Sequence, residues 1–452
     1  MKVHFIAIGG SAMHNLALAL QYKGYSISGS DDEIFEPSKS RLEKAGLLPS
    51  EYGWHPDRIV RGLDAIILGM HAKADNPELL KAKELGLKIY SYPEFLYEQS
   101  KSKQRVVIAG SHGKTSITAM IMHVLQIAGI DFDYMVGAQL EGFDVMVRMS
   151  DKAKVMLFEG DEYLTSALDL RPKFHLYKPH IALISGIAWD HINVFPTFEI
   201  YKEQFKIFID QIQKGGSLIY YEGDPELKDI SNLNNEISVE PYLQPDLERI
   251  GDNIFLKLAN EKYQLQIFGD HNMQNVAGAM AVCSSLGIGD RVFARAISSF
   301  KGASKRLQFI DGNEFTSVYL DFAHAPSKLK ATVDAVKDHF NDRTLVACME
   351  LHTYSSLNQK FLQEYKGAMD KADIAYVYFN RHTLELKRLP EITIDQVRSA
   401  FGRSDLKVYN DSGEMISALE KENWTNSILL LMSSGNFDGL EPADIAKKIL
   451  GD

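Results

Sequence analysis

Arg105-Val-Val-Ile-Ala-Gly-Ser-His-Gly-Lys-Thr-Ser116 passes from an apolar run into a glycine-rich turn and then into Lys-Thr-Ser. Ile117, Met120, Ile121, Val124, Leu125 and Ala128 follow at helical spacing, and Gly129 marks the stop. The order expected is strand, phosphate loop, helix. In such a junction glycines let backbone N–H groups close around phosphate oxygens, and the helix N-terminus adds positive potential. Gly110, Ser111, His112, Gly113, Lys114, Thr115 and Ser116 are therefore expected to hold a nucleotide. Lys114 would neutralise phosphate charge, and the Thr115 hydroxyl would ligate Mg²⁺. Ile108 stands where the usual eight-residue pattern has its first glycine, so the flanking strand and helix carry the reading.

The chain is long enough for two to four domains. With 49 basic and 60 acidic side chains its net charge is −11. That disfavours nucleic acid and anionic membranes as partners, and an anionic substrate must be held by local donors. Cys283 and Cys348 are far apart and outside metal-type spacing, so both read as buried thiols in a reducing compartment. The N-terminal apolar run is too short for a signal peptide, and no later segment approaches a membrane span. A cytoplasmic protein is expected, with no membrane and no obligate protein partner.

Strands and helices alternate, which predicts parallel α/β sheets. Strands are expected at 2–8, 25–29, 64–68 and 87–90, then at 154–158 and 181–185, then at 317–321, 344–349, 374–379 and 428–433. Helices are expected before Gly24, at 198–212, after Gly269 and from Leu329 to Phe340. Boundaries at the polar stretch 100–104 and near 302–307 divide the chain into domains 1–102, 103–304 and 305–452. The segment 221–262 lacks clear periodicity and reads as a β-rich or irregular insertion.

Glu159 falls where the strand Val155–Phe158 runs out, beside the phosphate loop, and is the expected second Mg²⁺ ligand. Asp190-His191 lies at another strand end and offers a metal or phosphate ligand. The turn Gly9-Gly10-Ser11, with Asp31 after the second strand, suits a phosphate-bearing ligand. A dehydrogenase reading of that turn fails on G-x-G-x-x-G, which is not spelled here, and leaves the phosphate loop unexplained.

Gly-Ser-His-Gly-Lys-Thr-Ser (110–116), Glu-Gly-Asp-Glu-Tyr (159–163), Trp-Asp-His (189–191), Asp-His-Asn-Met-Gln-Asn (270–275), Lys-Arg (305–306) and Asp-Phe-Ala-His-Ala-Pro (321–326) occur in this order. The set resembles the Mur ligases, ATP-dependent amide-forming enzymes of peptidoglycan synthesis, along all three domains. Ile-Gly-Gly-Ser-Ala-Met (8–13) and Gly-Ser-Asp (29–31) resemble the branch that takes UDP-N-acetylmuramate. The resemblance implies a Rossmann-like UDP-binding domain, a central P-loop ATPase-like α/β domain and a C-terminal Rossmann-like α/β domain. It implies catalytic roles for Lys114, Glu159 and His191, with Thr115, Glu159 and His191 as metal ligands. ATP contacts would extend to His271, Asn272, Asn275, Arg306, Asp321 and His324; UDP-sugar contacts would be Gly9, Gly10, Ser11, Met13, Asp31 and His71. The muramic carboxylate would be activated as an acyl phosphate and captured by an amine. Some members carry a carbamylated lysine, for which Lys202 and Lys206 lie in the right region. Departures from the pattern are Gly160 for an alanine, Ser116 for a threonine and Ala325 for a second histidine.

Two acceptors occur in that branch: L-alanine, and the tripeptide L-alanyl-γ-D-glutamyl-meso-diaminopimelate. Residues 159–163, 171–174, 190–196 and 432–439 resemble the tripeptide-using pattern; Leu351-His-Thr-Tyr354 with Phe361 is closer to the alanine-adding one. The tripeptide is the expected acceptor, and its carboxylates would need a local basic patch, for which His352, Lys360, Arg381 and His382 are available.

Overall fold

The computed structural model describes residues 1–451 except 71, 141, 167, 190–193, 233, 252, 259, 304 and 305. It divides into two compact units, Met1–Asp246 with Leu258–Glu261 and Met273–Ile297, and Leu247–Lys257 with Lys262–Asn272 and Ser298–Asp452.

In the first unit, β1 (Lys2–Ile6), β2 (Ser26–Ser30), β3 (Ala65–Leu68) and β4 (Ile89–Ser91) form a parallel sheet ordered β2-β1-β3-β4. The helix Ser11–Tyr22 follows β1 directly, after the turn at Gly9-Gly10. A larger sheet takes β5 (Gln104–Ala109), β6 (Phe132–Met135), β7 (Val147–Arg148), β8 (Val155–Glu159), β9 (Ile181–Ile184), β10 (Ser217–Tyr221) and β11 (Ser238–Tyr242) in the order β11-β10-β9-β5-β8-β6-β7. All its pairings are parallel except β6 with β7. Val106 to Ala109 are fully buried, as a central strand covered by helices on both faces requires.

Arg105 ties the polar stretch 100–104 down. Its guanidinium donates to the carbonyls of Ser100, Lys101, Lys103, Tyr177 and Lys178 and stacks over Tyr97.

The stretch 221–262 is more ordered than its sequence suggests. It contains a short helix, Pro225–Ile230, and the edge strand β11, then β12 (Leu247–Ile250), β13 (Asn253–Leu258) and β14 (Glu261–Leu265) as a small separate sheet.

The second unit carries β15 (Gln308–Gly312), β16 (Thr316–Asp321), β17 (Thr344–Leu351), β18 (Ile374–Phe379), β19 (Lys407–Tyr409) and β20 (Ser427–Met432), ordered β15-β16-β20-β17-β18-β19. Only β15 runs antiparallel. Asp321, Met432 and Met349 sit side by side in the register, so the carboxyl ends of β16, β20 and β17 form one edge. Cys283 and Cys348 are both buried, and burial pushes both thiols up from the ordinary cysteine value. Among the described residues no helix is long and apolar enough to cross a membrane.

Candidate active site

The phosphate loop is shaped by the neighbours of β5. On one side β9 runs out into Ser185-Gly186; on the other β8 runs out into Glu159 to Glu162. Gly110 has φ +126°, and a Cβ on it would lie 2.2 Å from Ser185 Oγ. Gly113 caps the helix Lys114–Ile127 at φ +79°, and a Cβ there would lie 2.3 Å from Asn275 Oδ1. Both positions combine a left-handed backbone with close packing, so glycine is required. Ser185 Oγ donates to the carbonyls of His112 and Ala109, and Ser111 N–H donates to Gly186 O at 3.0 Å. Among the described residues no side chain caps the helix that begins at Lys114, which leaves its first-turn N–H groups for an anion.

Lys114 and Thr115 are each aimed at a carboxylate. Lys114 Nζ donates to Gly110 O at 2.6 Å and lies 2.7 Å from Glu162 Oε2. Glu162 is 1% exposed and also accepts from Tyr201 OH at 3.2 Å. The Tyr201 hydroxyl is 2.8 Å from Ser111 Oγ, which in turn accepts Ala188 N–H at 2.8 Å. Glu162 and Tyr201 therefore fix the lysine and the loop, a role their sequence positions did not announce. Thr115 Oγ1 donates to Glu159 Oε1 at 2.7 Å, and Gly137 N–H donates to Glu159 Oε2 at 2.7 Å. A hydroxyl and a carboxylate at this spacing are the hard oxygen donors that Mg²⁺ prefers. His191 lies outside the described residues.

Asn275 is buried against Gly113 and is followed along its helix by an apolar face. His271 and Asn272 stand in the first turn of the same helix, His271 exposed and Asn272 donating to Phe268 O at 2.9 Å. Lys202 is 2.5 Å from Glu226 and 3.7 Å from Asp229, which hold its ammonium above the ordinary lysine value. Carbamylation needs the neutral amine, so this ion pair works against it. Lys206 pairs with Glu203 at 3.0 Å.

At the N-terminal turn Asp31 Oδ2 accepts Gly9 N–H at 2.7 Å, and Oδ1 accepts Asp32 N–H at 3.0 Å. The carboxylate thus shapes the turn. Gly10, Ser11 and Met13 lie at the start of the helix Ser11–Tyr22, and His71 lies outside the described residues. Burial first, and then the neighbouring Asp32, push the Asp31 carboxyl up to about 6. Because the folded state keeps this proton more tightly than the unfolded chain, stability falls as pH rises from about 4 through about 6. Asp31→Asn should flatten that part of a stability–pH curve; an unchanged slope would show that another group causes it.

In the second unit Asp321, Arg306 and His324 come together. The Arg306 guanidinium lies 4.9 Å from the Phe322 ring, and His324 Nδ1 is 2.9 Å from Phe322 O. Asp321 accepts the N–H groups of Leu307 and Ala323, each at 2.7 Å. Burial raises its carboxyl, opposed by Arg306 and these donors. Ala325, at the place of the missing histidine, precedes the helix Pro326–His339 as its N-cap.

Three family models match the chain: "Mur ligase family, catalytic domain" over residues 2–104, "Mur ligase middle domain" over 108–283 and "Mur ligase, glutamate ligase domain" over 305–435. A UDP-N-acetylmuramate–L-alanine ligase of Sulfurihydrogenibium is 30% identical over 437 residues, 95% of this chain and 92% of that protein. Among solved structures, the UDP-N-acetylmuramate–alanine ligase of Thermotoga maritima is similar with TM-score 0.71 at 18% identity, covering 100% of this chain and 98% of that one. A murein peptide ligase from Psychrobacter arcticus is similar with TM-score 0.65 at 23% identity, covering 100% and 99%. The first of these proteins is named for L-alanine and the last for a murein peptide, whereas the motifs of this sequence lead to the tripeptide as expected acceptor.

Proposed function

The chain belongs to the Mur ligase family of ATP-dependent ligases that form carbon–nitrogen bonds, and from that premise we propose that it joins the carboxylate of UDP-N-acetylmuramate to L-alanine in the cytoplasm, in peptidoglycan synthesis. The observation that carries the choice of amine is the likeness to an L-alanine ligase along nearly the whole of both chains.

The reaction asks for positioning and charge neutralisation more than for covalent help. The glycine loop and the uncapped helix start supply N–H donors to phosphate, and Lys114, aimed by Glu162, supplies a full positive charge. Thr115 and Glu159 would hold Mg²⁺, and His191 would hold a second ion. Mg²⁺ held by these residues would supply charge neutralisation to the phosphates. The muramic carboxylate attacks the ATP γ-phosphorus, the bond to the bridging oxygen breaks, and ADP leaves with an acyl phosphate formed. The amine then attacks that carbonyl and phosphate leaves. We assign the adenine end to His271, Asn272 and Asn275, with further nucleotide contacts from Arg306, Asp321 and His324. The UDP-sugar falls to Gly9, Gly10, Ser11 and Met13 at the N-terminal turn, to His71, and to Asp31, which also holds Gly9 in place.

A second reading, ligation of the tripeptide, is favoured by residues 159–163 and 433–439, which resemble the tripeptide-using pattern. Offering both amines together with ATP, Mg²⁺ and UDP-N-acetylmuramate, and weighing the product, decides between them. The alanine adduct is expected in excess; a tripeptide adduct alone would establish the second reading.

A further inference from the structure

The carboxyl edge of the second unit's sheet holds a cluster that the assigned roles do not use. β17 contains Glu350 at its end and runs on to His352; its neighbour β20 ends at Met432 and runs on into Ser433-Ser-Gly-Asn-Phe-Asp-Gly439. Glu350 is 2% exposed, and three groups face its carboxylate. Ser433 Oγ donates to Oε2, Phe437 N–H donates to the same oxygen at 2.9 Å, and His352 Nδ1 lies 3.6 Å from Oε1. Burial pushes this carboxyl up, but His352, Ser433 and the Phe437 N–H together outweigh it and hold the group below the ordinary glutamate value.

The loop is fastened elsewhere too. Asn380 Nδ2 donates to Asp438 Oδ1 at 2.7 Å, and Gly435 packs so closely that a Cβ would fall 2.6 Å from His352 Nδ1. Phe437 and Asp438 both adopt positive φ, +47° and +63°. Two adjacent non-glycine residues in that region are strained, and such strain persists where surrounding contacts over-determine the backbone, often at ligand sites. The carboxyl ends of parallel strands are also where open α/β sheets bind ligands. Among the four basic candidates, Lys360, Arg381 and His382 are exposed, and His352 alone joins this cluster. The two motifs whose sequences point to different acceptors are thus parts of one structure.

We propose that Glu350 is a positioning residue for the amine substrate, fastening His352 and the 433–439 loop into one site that takes the carboxylate of the incoming amino acid or peptide. The proposal rests on the ligase reading, since both acceptors considered carry such a carboxylate. With Nδ1 facing Glu350, Nε2 on the far side of the ring is the nitrogen left for a ligand. A buried carboxylate behind a histidine fixes the ring's orientation; where such a pair supports a metal ligand, removing the carboxylate costs about 10–100-fold, and an effect at the lower end of that range is expected here.

The test is steady-state ADP release by the full chain with ATP, Mg²⁺ and UDP-N-acetylmuramate, varying L-alanine and the tripeptide in separate series. Glu350→Gln should raise the KM for the accepted amine about tenfold or more, with the KM values for ATP and the UDP-sugar within about twofold of wild type. His352→Ala should raise the same KM, and the double variant should be no worse than the poorer single one. His352→Ala leaves Glu350 with Ser433 and Phe437, so it carries the test if Glu350→Gln does not fold. An unchanged amine KM in His352→Ala, or effects of the two changes that multiply, would overturn the proposal. Wild-type protein that uses neither amine would instead overturn the ligase reading beneath it.

Discussion

Lys114→Ala should lower ligation by at least roughly 10³-fold, since a single preorganised donor to developing charge is already worth 10²–10³-fold and this one bears a full charge. The structure adds a reason beyond that charge. Nζ is held between Gly110 O and Glu162 Oε2, so its aim is set before any substrate contact. Removing it leaves Glu162 buried with the Tyr201 hydroxyl still at 3.2 Å, and some stability will be lost with the ion pair. A circular-dichroism melt separates the two effects: a folded but inactive variant is expected. Near-normal turnover would show that this loop does not hold the transferred phosphate.

Glu159→Gln should be the next most damaging change, costing about 10²-fold in turnover by removal of a charged transition-state partner and shifting half-activation to higher Mg²⁺. Both carboxylate oxygens are used, one by Thr115 and one by Gly137 N–H. An amide oxygen can accept at one of those places only, so the substitution removes charge and forces the Thr115 hydroxyl to turn and accept from the amide if Gly137 N–H is to keep its partner. Turnover measured over a Mg²⁺ series checks it. Unchanged activity with an unchanged half-activation point would make Glu159 a purely structural tie between β8 and the loop after β6.

What could be read from sequence was what is local. The phosphate loop is contiguous, so its glycines, Lys114 and Thr115 stand in one stretch, and the strand before and helix after are each marked by apolar spacing. The partners that shape that loop arrive from distant strands and carry no local mark. Tyr201 sits in the stripe Tyr201, Phe205, Phe208 and Ile209, where an aromatic reads as core; the hydroxyl that ties Ser111 to Glu162 is hidden in that pattern. Glu162 stands in the motif Glu-Gly-Asp-Glu-Tyr (159–163), yet only the fold brings it to Lys114.

β11 is illegible in the sequence for another reason. Ser238-Val-Glu-Pro-Tyr242 is a sheet edge, mostly unburied, with a proline that only an edge strand tolerates. The cluster at Glu350 is the clearest case. Residues 350–352 and 433–439 are about eighty positions apart, and parallel pairing of β17 with β20 makes them neighbours. Taken separately those motifs pulled the choice of acceptor in opposite directions.

The central claim is that this chain activates the carboxylate of UDP-N-acetylmuramate at the expense of ATP. The measurement that bears on it most directly is ADP release by the wild-type chain with ATP, Mg²⁺ and L-alanine, with and without UDP-N-acetylmuramate. ADP release that requires the UDP-sugar, matched by a product heavier than it by one alanine residue, is the predicted result. ADP release indifferent to the UDP-sugar, with no adduct formed from either L-alanine or the tripeptide, would contradict the account.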